Sequence, residues 1–444
     1  MHKRICIFGA GYIGLTTAAC LAELGHEVTC VDINSERVES LLAGHVPIHE
    51  PLLTELVVGN IGRGRLHFTT DARSAIEYVE LVFVCVPTPQ AHDGSADLRA
   101  VFDVIDVIAD HIARGAIVVT KSTVPAGTGH ALLCRLLHYG RNDVGVVSNP
   151  EFLREGSAVA DFMQPDRIVI GADVGAWVKP VASLFESIDA PVIVTDVVTA
   201  ELSKHASNAF LATKLTFANS LAHLCETVGG DASALFAVLG ADPRIGDRFL
   251  RPGPGWGGSC LPKDTRALAH FARSVAAPLA QLECTIDTND AHFDHVVSRL
   301  TAHLGGSLRY VRIAALGLAF KSGTDDTRES PSIEVIARLV RHGATVTVHD
   351  PLARPVGDAL NGAHFSEVLD DAIAAADVLL VLTEWPEYAE LDPHTIRTVS
   401  AARLVYDTRG IIDANGWCDA GFTVLQVGRP ALDFGDRTAQ STAA

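Results

Sequence analysis

The chain has 444 residues, 48% hydrophobic and 20% charged, with 53 Asp and Glu against 35 Lys and Arg. At about 100–200 residues per domain this length makes two or three domains with real cores, which excludes disordered and fibrous architectures. The net charge of −18, with basic residues clustering only in pairs, excludes a general nucleic-acid-binding role.

Lys3 and Arg4 precede an apolar run that imitates a signal peptide, but Gly9, Gly11 and Gly14 interrupt it and Glu23 ends it. No apolar stretch approaches the ~18–20 residues that span a bilayer, so a soluble cytoplasmic protein is expected. Strand-like runs at Arg4–Phe8, Glu27–Val31, Leu81–Val86, Ala116–Thr120, Val144–Val147 and Arg167–Ile170 alternate with helical patterns. This spacing predicts βαβ units and a doubly wound parallel sheet. From Thr199 to Val228 apolar residues recur at threes and fours, among them Leu202, Ala206, Ala209, Phe210, Phe217, Leu221 and Leu224, and predict a long helix. Further helices are expected at Asp231–Leu239, Lys263–Val275 and Pro278–Leu304, around a Gly- and Pro-rich loop from Arg251 to Cys260. Strands resume at Tyr310–Leu316, Thr345–His349, Val378–Leu382 and Arg403–Tyr406.

The expected fold class is therefore α/β, with two Rossmann-like doubly wound parallel-sheet domains joined by a helical segment. The divisions are a dinucleotide-binding domain at 1–198, a central helical domain at 199–305, a second α/β domain at 306–430 and a flexible tail at 431–444; fraying is expected from Gly428.

Gly9, Gly11 and Gly14 form a GAGYIG turn after the first strand, with Tyr12 and Ile13 opening a helix, and Asp32 closes the next strand. Glycines let such a turn approach a pyrophosphate at a helix N-terminus, and the aspartate accepts from a ribose hydroxyl. The alternative is a tight structural turn. Asp32 repels a 2′-phosphate and so favours NAD over NADP, although nearby Arg37 leaves that choice open.

Nine cysteines without CxxC pairs point to reduced thiols and to no zinc site. Eight read as small core residues. Cys260 differs, because it stands at a loop-to-helix junction beside Lys263, where backbone N–H groups and an ammonium favour a nucleophilic thiolate. Lys204 and Asn208, spaced i and i+4 on the long helix, are either a solvated surface pair or an ammonium and amide able to stabilise an oxyanion. Asn149 to Gly156 and Lys321 to Pro331 occupy strand C-terminal ends, where doubly wound sheets bind ligands, or else are salt-bridged, capped turns.

Together GAGYIG, KSTVPAGT (121–128), NPEFLREG (149–156), ELSKHASNAF (201–210), PGWGGSCLPKD (254–264) and FKSGTDDTRESP (320–331) resemble the nucleotide-sugar 6-dehydrogenases of the UDP-glucose/GDP-mannose dehydrogenase family, in particular the UDP-glucose 6-dehydrogenase group. The resemblance runs from about residue 3 to about 425. It implies oxidation of a sugar C6 alcohol to a carboxylate with two NAD⁺, through a thiohemiacetal and a thioester on Cys260. By resemblance Lys204 and Asn208 stabilise oxyanions, Asp264 orients Lys204 or a water, and Glu151 and Thr123 position the general base. Gly9, Gly11, Tyr12, Ile13, Gly14, Asp32, Arg37, Thr88, Thr123, Glu155, Lys263 and Arg328 would contact NAD. Glu151, Phe152, Leu153, Arg154, Glu155, Lys204, Asn208, Arg244, Phe249, Leu250, Arg251, Pro252, Gly253, Gly257 and Lys321 would meet the sugar nucleotide. The central helices would form a homodimer, with Arg244 reaching a partner's site.

Val86-Pro87-Thr88-Pro89 departs from the usual pattern towards the branch acting on N-acetylated sugars, whereas Ser259, Lys263 and Asp264 follow the glucose and mannose branches. Asp242 to Gly246 and the Pro-Gly-Trp loop lean towards UDP-glucose over GDP-mannose, and no residue separates UDP-glucose from dTDP-glucose. Two other readings are a two-electron hydroxyacid dehydrogenase that needs no cysteine and an NAD-binding scaffold without activity.

Overall fold

The computed structural model describes residues 2–360 and 362–433. They divide into two compact units: residues up to Ser207 together with Arg266–Ala277, and Asn208–Thr265 together with the described residues from Pro278 on.

The first unit holds an eight-stranded sheet of β1 (Arg4–Phe8), β2 (Glu27–Val31), β3 (Leu66–Thr69), β4 (Leu81–Val84), β5 (Ile117–Thr120), β6 (Gly145–Ser148), β7 (Ile168–Gly171) and β8 (Val192–Thr195). Their order is β3-β2-β1-β4-β5-β6-β7-β8, so the winding reverses at β1. Central strands such as Leu-Val-Phe-Val in β4 are buried on both faces, as a parallel sheet covered by helices requires. Successive residues of β1 serve opposite cores: Ile5 and Ile7 pack into one cluster, Cys6 and Phe8 into the other. One join departs from the all-parallel expectation. β6 meets β7 antiparallel through Ser148 and Gly171, and β7 and β8 then run parallel to each other. The Asn149 amide spans this join by donating to Val169 O at 2.8 Å. The strands of this sheet absent from the sequence reading, β3 and β8, are its two edges; Leu-His-Phe-Thr of β3 gives a weak apolar signal, whereas Val-Ile-Val-Thr of β8 is a clear β-branched run that the reading passes over.

The second unit carries a six-stranded, wholly parallel sheet of β9 (Arg312–Leu316), β10 (Thr345–His349), β11 (His364–Phe365), β12 (Val378–Val381), β13 (Leu404–Asp407) and β14 (Thr423–Gln426), in the order β11-β10-β9-β12-β13-β14. Between β8 and β9 the structure is helical, with Val197–Val228, Ala232–Gly240, Leu261–Ser274 and Ala280–His303. The apolar periodicity of the first of these serves two faces: Ala212, Ala218 and Ala222 are buried, while Phe210, Phe217 and Leu224 are exposed at seven-residue spacing.

Residues 428–433, expected to fray, are tied in. Gly428 N–H donates to Glu226 at 2.8 Å, and Leu432 pairs antiparallel with Val424. The rest of the expected tail, 434–444, lies outside the described residues. Among the described residues no helix is long and apolar enough to cross a membrane.

Candidate active site

In the first unit the Gly-rich turn lies at the C-terminal end of β1, where the sheet winding reverses and doubly wound folds take their ligands. Gly9 has φ +97°, and a Cβ there would lie 2.7 Å from Cys85 O. A Cβ on Gly14 would come within 1.8 Å of Gly9 O, so both glycines are demanded by the turn itself. Gly11 differs: a Cβ there meets nothing within 4 Å, so the space beside it is open. It precedes the Tyr12–Glu23 helix without any side-chain cap, leaving first-turn N–H groups to face an anion.

Asp32 accepts from Ala10 N–H at 2.7 Å, Asn34 N–H at 2.9 Å and the Arg37 guanidinium at 3.1 Å. A carboxylate has about four lone-pair sites, so capacity remains for a ribose hydroxyl. Arg37 is engaged by Asp32, which weakens its claim to be a 2′-phosphate ligand and supports NAD. An open cradle, uncapped helix N–H groups and an acidic residue at the next strand end together fit a dinucleotide.

Other predicted residues of this unit gather near the C-terminal ends of β4 to β6. The Thr88 hydroxyl donates to Thr123 O at 2.8 Å. Glu151 is buried, pairs with Lys204 Nζ at 2.9 Å and accepts from Leu153 N–H at 2.6 Å. Phe152 stacks under Arg167, whose guanidinium carbon is 3.7 Å from the ring centroid, and Lys204 Nζ stands 5.7 Å from the same ring. The solvated-pair reading of Lys204 therefore fails, because its side chain is 5% exposed and ion-paired. Arg154 forks onto Asp161, closing its own loop.

Three buried charged groups here escaped the sequence reading. Lys121 donates to Asn149 at 3.1 Å, and burial pulls its ammonium below the usual lysine range. Glu50 accepts from both the Tyr12 hydroxyl and Gly156 N–H, linking the Gly-rich turn to the 149–156 loop, and with burial it drives the Tyr12 phenol far upward. Glu201, one turn before Lys204, accepts from Gly127 N–H at 2.7 Å and Gly129 N–H at 2.6 Å at the start of the Thr128–His138 helix. Those bonds favour its anion, but burial outweighs them and raises its pKa to about 7. Lys121 and Glu201 open two of the quoted motifs, which was the available signal, whereas Glu50 lies outside all of them and carried none.

In the second unit Cys260 is exposed immediately before the Leu261–Ser274 helix, and its carbonyl accepts from Asp264 N–H at 3.0 Å. Asp264 is buried and takes the Asn208 amide at 2.6 Å and the Lys263 ammonium at 2.5 Å. The amide thus comes from 56 residues away to meet the carboxylate one turn beyond the cysteine. All nine cysteines are thiols. Six are buried, as expected of core residues, and burial lifts Cys20 and Cys85 to about 12. Cys134 and Cys284 depart from that expectation, being exposed on helices.

Phe249, in the predicted 249–253 ligand segment, has φ +62°, a conformation costly for an aromatic residue, while Leu250 is buried. A Cβ on Gly257 would lie 2.0 Å from Glu329 O, so this segment packs directly on the Lys321 to Pro331 turn. Lys321 Nζ lies 5.6 Å from the Phe320 ring. Arg328 and Arg244 each fork onto the aspartate two residues before, Asp326 and Asp242, and the Arg244 side chain is 87% exposed.

Comparison with known proteins agrees with this geometry. The sequence matches the UDP-glucose/GDP-mannose dehydrogenase family in three successive parts: the NAD binding domain at residues 3–189, the central domain at 198–291 and the UDP binding domain at 314–414. It is 40% identical to the UDP-glucose 6-dehydrogenase TuaD of Bacillus subtilis, over 97% of this chain and 94% of that protein. It is 41% identical to the UDP-glucose 6-dehydrogenase of Rhizobium meliloti, over 96% of this chain and all of the other. The structure of a UDP-glucose dehydrogenase from Pyrobaculum islandicum superposes with a TM-score of 0.89 at 36% identity, covering 97% of this chain and 98% of that one. With its Gly-rich turn, acidic strand end and two sheet domains, the chain belongs to the UDP-glucose/GDP-mannose dehydrogenase family and is an NAD-dependent nucleotide-sugar dehydrogenase.

Proposed function

We propose that the enzyme oxidises the C6 alcohol of UDP-glucose to the carboxylate of UDP-glucuronate, using two NAD⁺ and one water per sugar. The observation that carries this reading is the exposed Cys260 thiol one turn before an Asp264 carboxylate that holds Asn208 and Lys263. The names of the relatives supply the substrate. NAD⁺, when bound, accepts hydride from C6.

After the first hydride leaves, Cys260 Sγ bonds to the C6 aldehyde carbon and forms a thiohemiacetal. Negative charge developing on the C6 oxygen meets the Lys204 ammonium and the Asn208 amide, one turn apart on the same helix. Asp264 keeps Asn208 in place, and Glu151 keeps Lys204 aimed while it and Thr123 position proton transfer. Loss of the second hydride leaves a thioester on Cys260. Water hydrolyses it, releasing the carboxylate and restoring the thiol. Gly9, Gly11, Tyr12, Ile13, Gly14, Asp32 and Thr88 would hold the dinucleotide in this scheme. The covalent step needs a reduced thiol, in keeping with a cytoplasmic setting. Phe210, Phe217 and Leu224, exposed on one face of the central helix, support a homodimer in which a second copy of the chain covers them.

The test is a panel of UDP-glucose, dTDP-glucose, GDP-mannose and UDP-N-acetylglucosamine, with NADH counted per sugar consumed. Two NADH per UDP-glucose are expected, and Cys260→Ala should lower steady turnover to the uronate by at least 10³-fold, about 4 kcal/mol. One NADH per sugar, or near-normal turnover in the variant, overturns the covalent mechanism.

A further inference from the structure

Seven of the ten residues from Arg251 to Cys260 are Pro, Gly or Ser, so the chain leading to the cysteine has few side chains with which to anchor itself. It is gripped by its backbone instead. Asn219 Oδ1 accepts from Gly253 N–H at 2.8 Å, and the His292 ring lies with Nε2 2.8 Å from Gly253 O. Asn289 takes both sides of Trp256, accepting from its N–H at 2.9 Å and donating to its carbonyl at 3.0 Å. Thr216 Oγ accepts from the Trp256 indole N–H at 2.7 Å. All four gripping side chains are buried and come from two helices, Val197–Val228 and Ala280–His303. Burial lowers the His292 imidazole to about 4, so at neutral pH one ring nitrogen carries the proton that Gly253 O accepts.

The glycines make this grip close. A Cβ on Gly255 would lie 2.3 Å from the Phe293 ring, and one on Gly258 2.8 Å from the Phe320 ring. Gly258 N–H also donates to Glu329 O at 3.2 Å. The segment is therefore held on both flanks up to two residues before Cys260.

We propose that Asn219, Asn289, His292 and Thr216 are positioning residues that fix the backbone from Gly253 to Trp256 and thereby set where the Cys260 thiol stands during the reaction. This rests on the reading of Cys260 as the nucleophile. A buried amide or imidazole whose hydrogen bonds go wholly to a loop backbone fixes that loop far more tightly than apolar packing, because an unmade bond leaves a buried polar group unsatisfied.

The experiment compares His292→Phe, which keeps a ring but removes the donor, with His292→Gln, whose amide nitrogen restores one. Two kinds of quantity are read below the melting temperature of each protein: kcat with the KM for NAD⁺ at saturating UDP-glucose, and the iodoacetamide alkylation rate of Cys260 by site-resolved mass spectrometry. The exposed Cys134 gives the reference rate, and the buried Cys225 and Cys418 report any general opening. Expected for His292→Phe are a kcat at least tenfold lower, a KM for NAD⁺ within twofold, and a Cys260 rate changed at least threefold relative to Cys134. Cys225 and Cys418 should stay protected, and His292→Gln should return both quantities towards the parent. Thr216→Val, close in shape but lacking the acceptor, should give a smaller shift of the same kind and serves if His292→Phe does not fold. An unchanged Cys260 rate in both variants overturns the proposal. A changed rate with unchanged kcat overturns it as a statement about the reaction. Cys260→Ala then separates the two failures: loss of turnover leaves the nucleophile reading standing, and retained turnover removes it too.

Discussion

Glu201 carries two opposing demands on one side chain. Two backbone N–H groups at a helix start favour its anion, while its burial favours the neutral acid, and burial prevails at about 7 against an unfolded value near 4.5. The native state therefore holds a proton that the unfolded chain has already released between those values. Stability from this group is fully present below about 4.5 and is lost as pH rises through about 7. Glu201→Gln should remove that dependence, flattening the unfolding free energy between pH 5 and 7.5 by on the order of 2 kcal/mol. Denaturant melts of both proteins at the two pH values check this, and an equal slope in both would show that Glu201 is not the group responsible. Lys204 lies on the next turn of the same helix, so the anchor that Glu201 makes also bears on where the ammonium points.

At the scale of elements, the Gly-rich turn separates folding from binding within six residues. Gly14 is demanded by the backbone of Gly9, and Gly11 by nothing in the chain. Gly11 also has φ −77° and ψ −171°, which any residue adopts. Gly11→Ala should therefore melt within about 2 °C of the parent while weakening NAD⁺ at least tenfold, about 1.4 kcal/mol. Gly14→Ala should lower both stability and binding, since no shift smaller than a displacement of the turn relieves a 1.8 Å approach. Differential scanning calorimetry with NAD⁺ titration measures the pair; unaltered affinity in Gly11→Ala would remove the cradle as the pyrophosphate site. The strands show the same division between local and non-local causes. Buried central strands read directly as Val- and Ile-rich runs, whereas the edge strand β3, Leu-His-Phe-Thr, lacks such a run and the edge strand β8, Val-Ile-Val-Thr, carries one while staying exposed.

At the scale of the molecule, an acidic chain of net charge −18 must hold an anionic nucleotide sugar with a few placed cations. The cations expected in that role are each paired in the structure: Lys204 with Glu151, Lys263 with Asp264, Arg328 with Asp326 and Arg244 with Asp242. Such pairing lowers the cost of burial for Lys204, whereas Arg328 and Arg244 stay largely exposed. The Phe210, Phe217 and Leu224 stripe is the other whole-molecule feature. Phe217→Glu should convert a dimer to monomers in sedimentation velocity at micromolar concentration; a parent that already sediments as a monomer would overturn the homodimer.

The alternation of strand and helix, the strand-free central segment, the Gly-rich turn after β1 and the loop-to-helix junction at Cys260 were all legible in the sequence by itself. Each rests on local periodicity or on residue types within a dozen positions, which the chain carries before it folds. Which charges meet was not legible. Lys204 pairs with Glu151, Asp264 takes Asn208, Glu201 caps a helix some seventy residues earlier, and His292 and Asn289 reach back to Gly253 and Trp256. Those partners are distant along the chain, and only the packing of helices and sheets in three dimensions brings them within 3 Å. The tertiary structure also decided which apolar residues are core and which are surface, because a helical repeat that marks an apolar face does not say what will cover it.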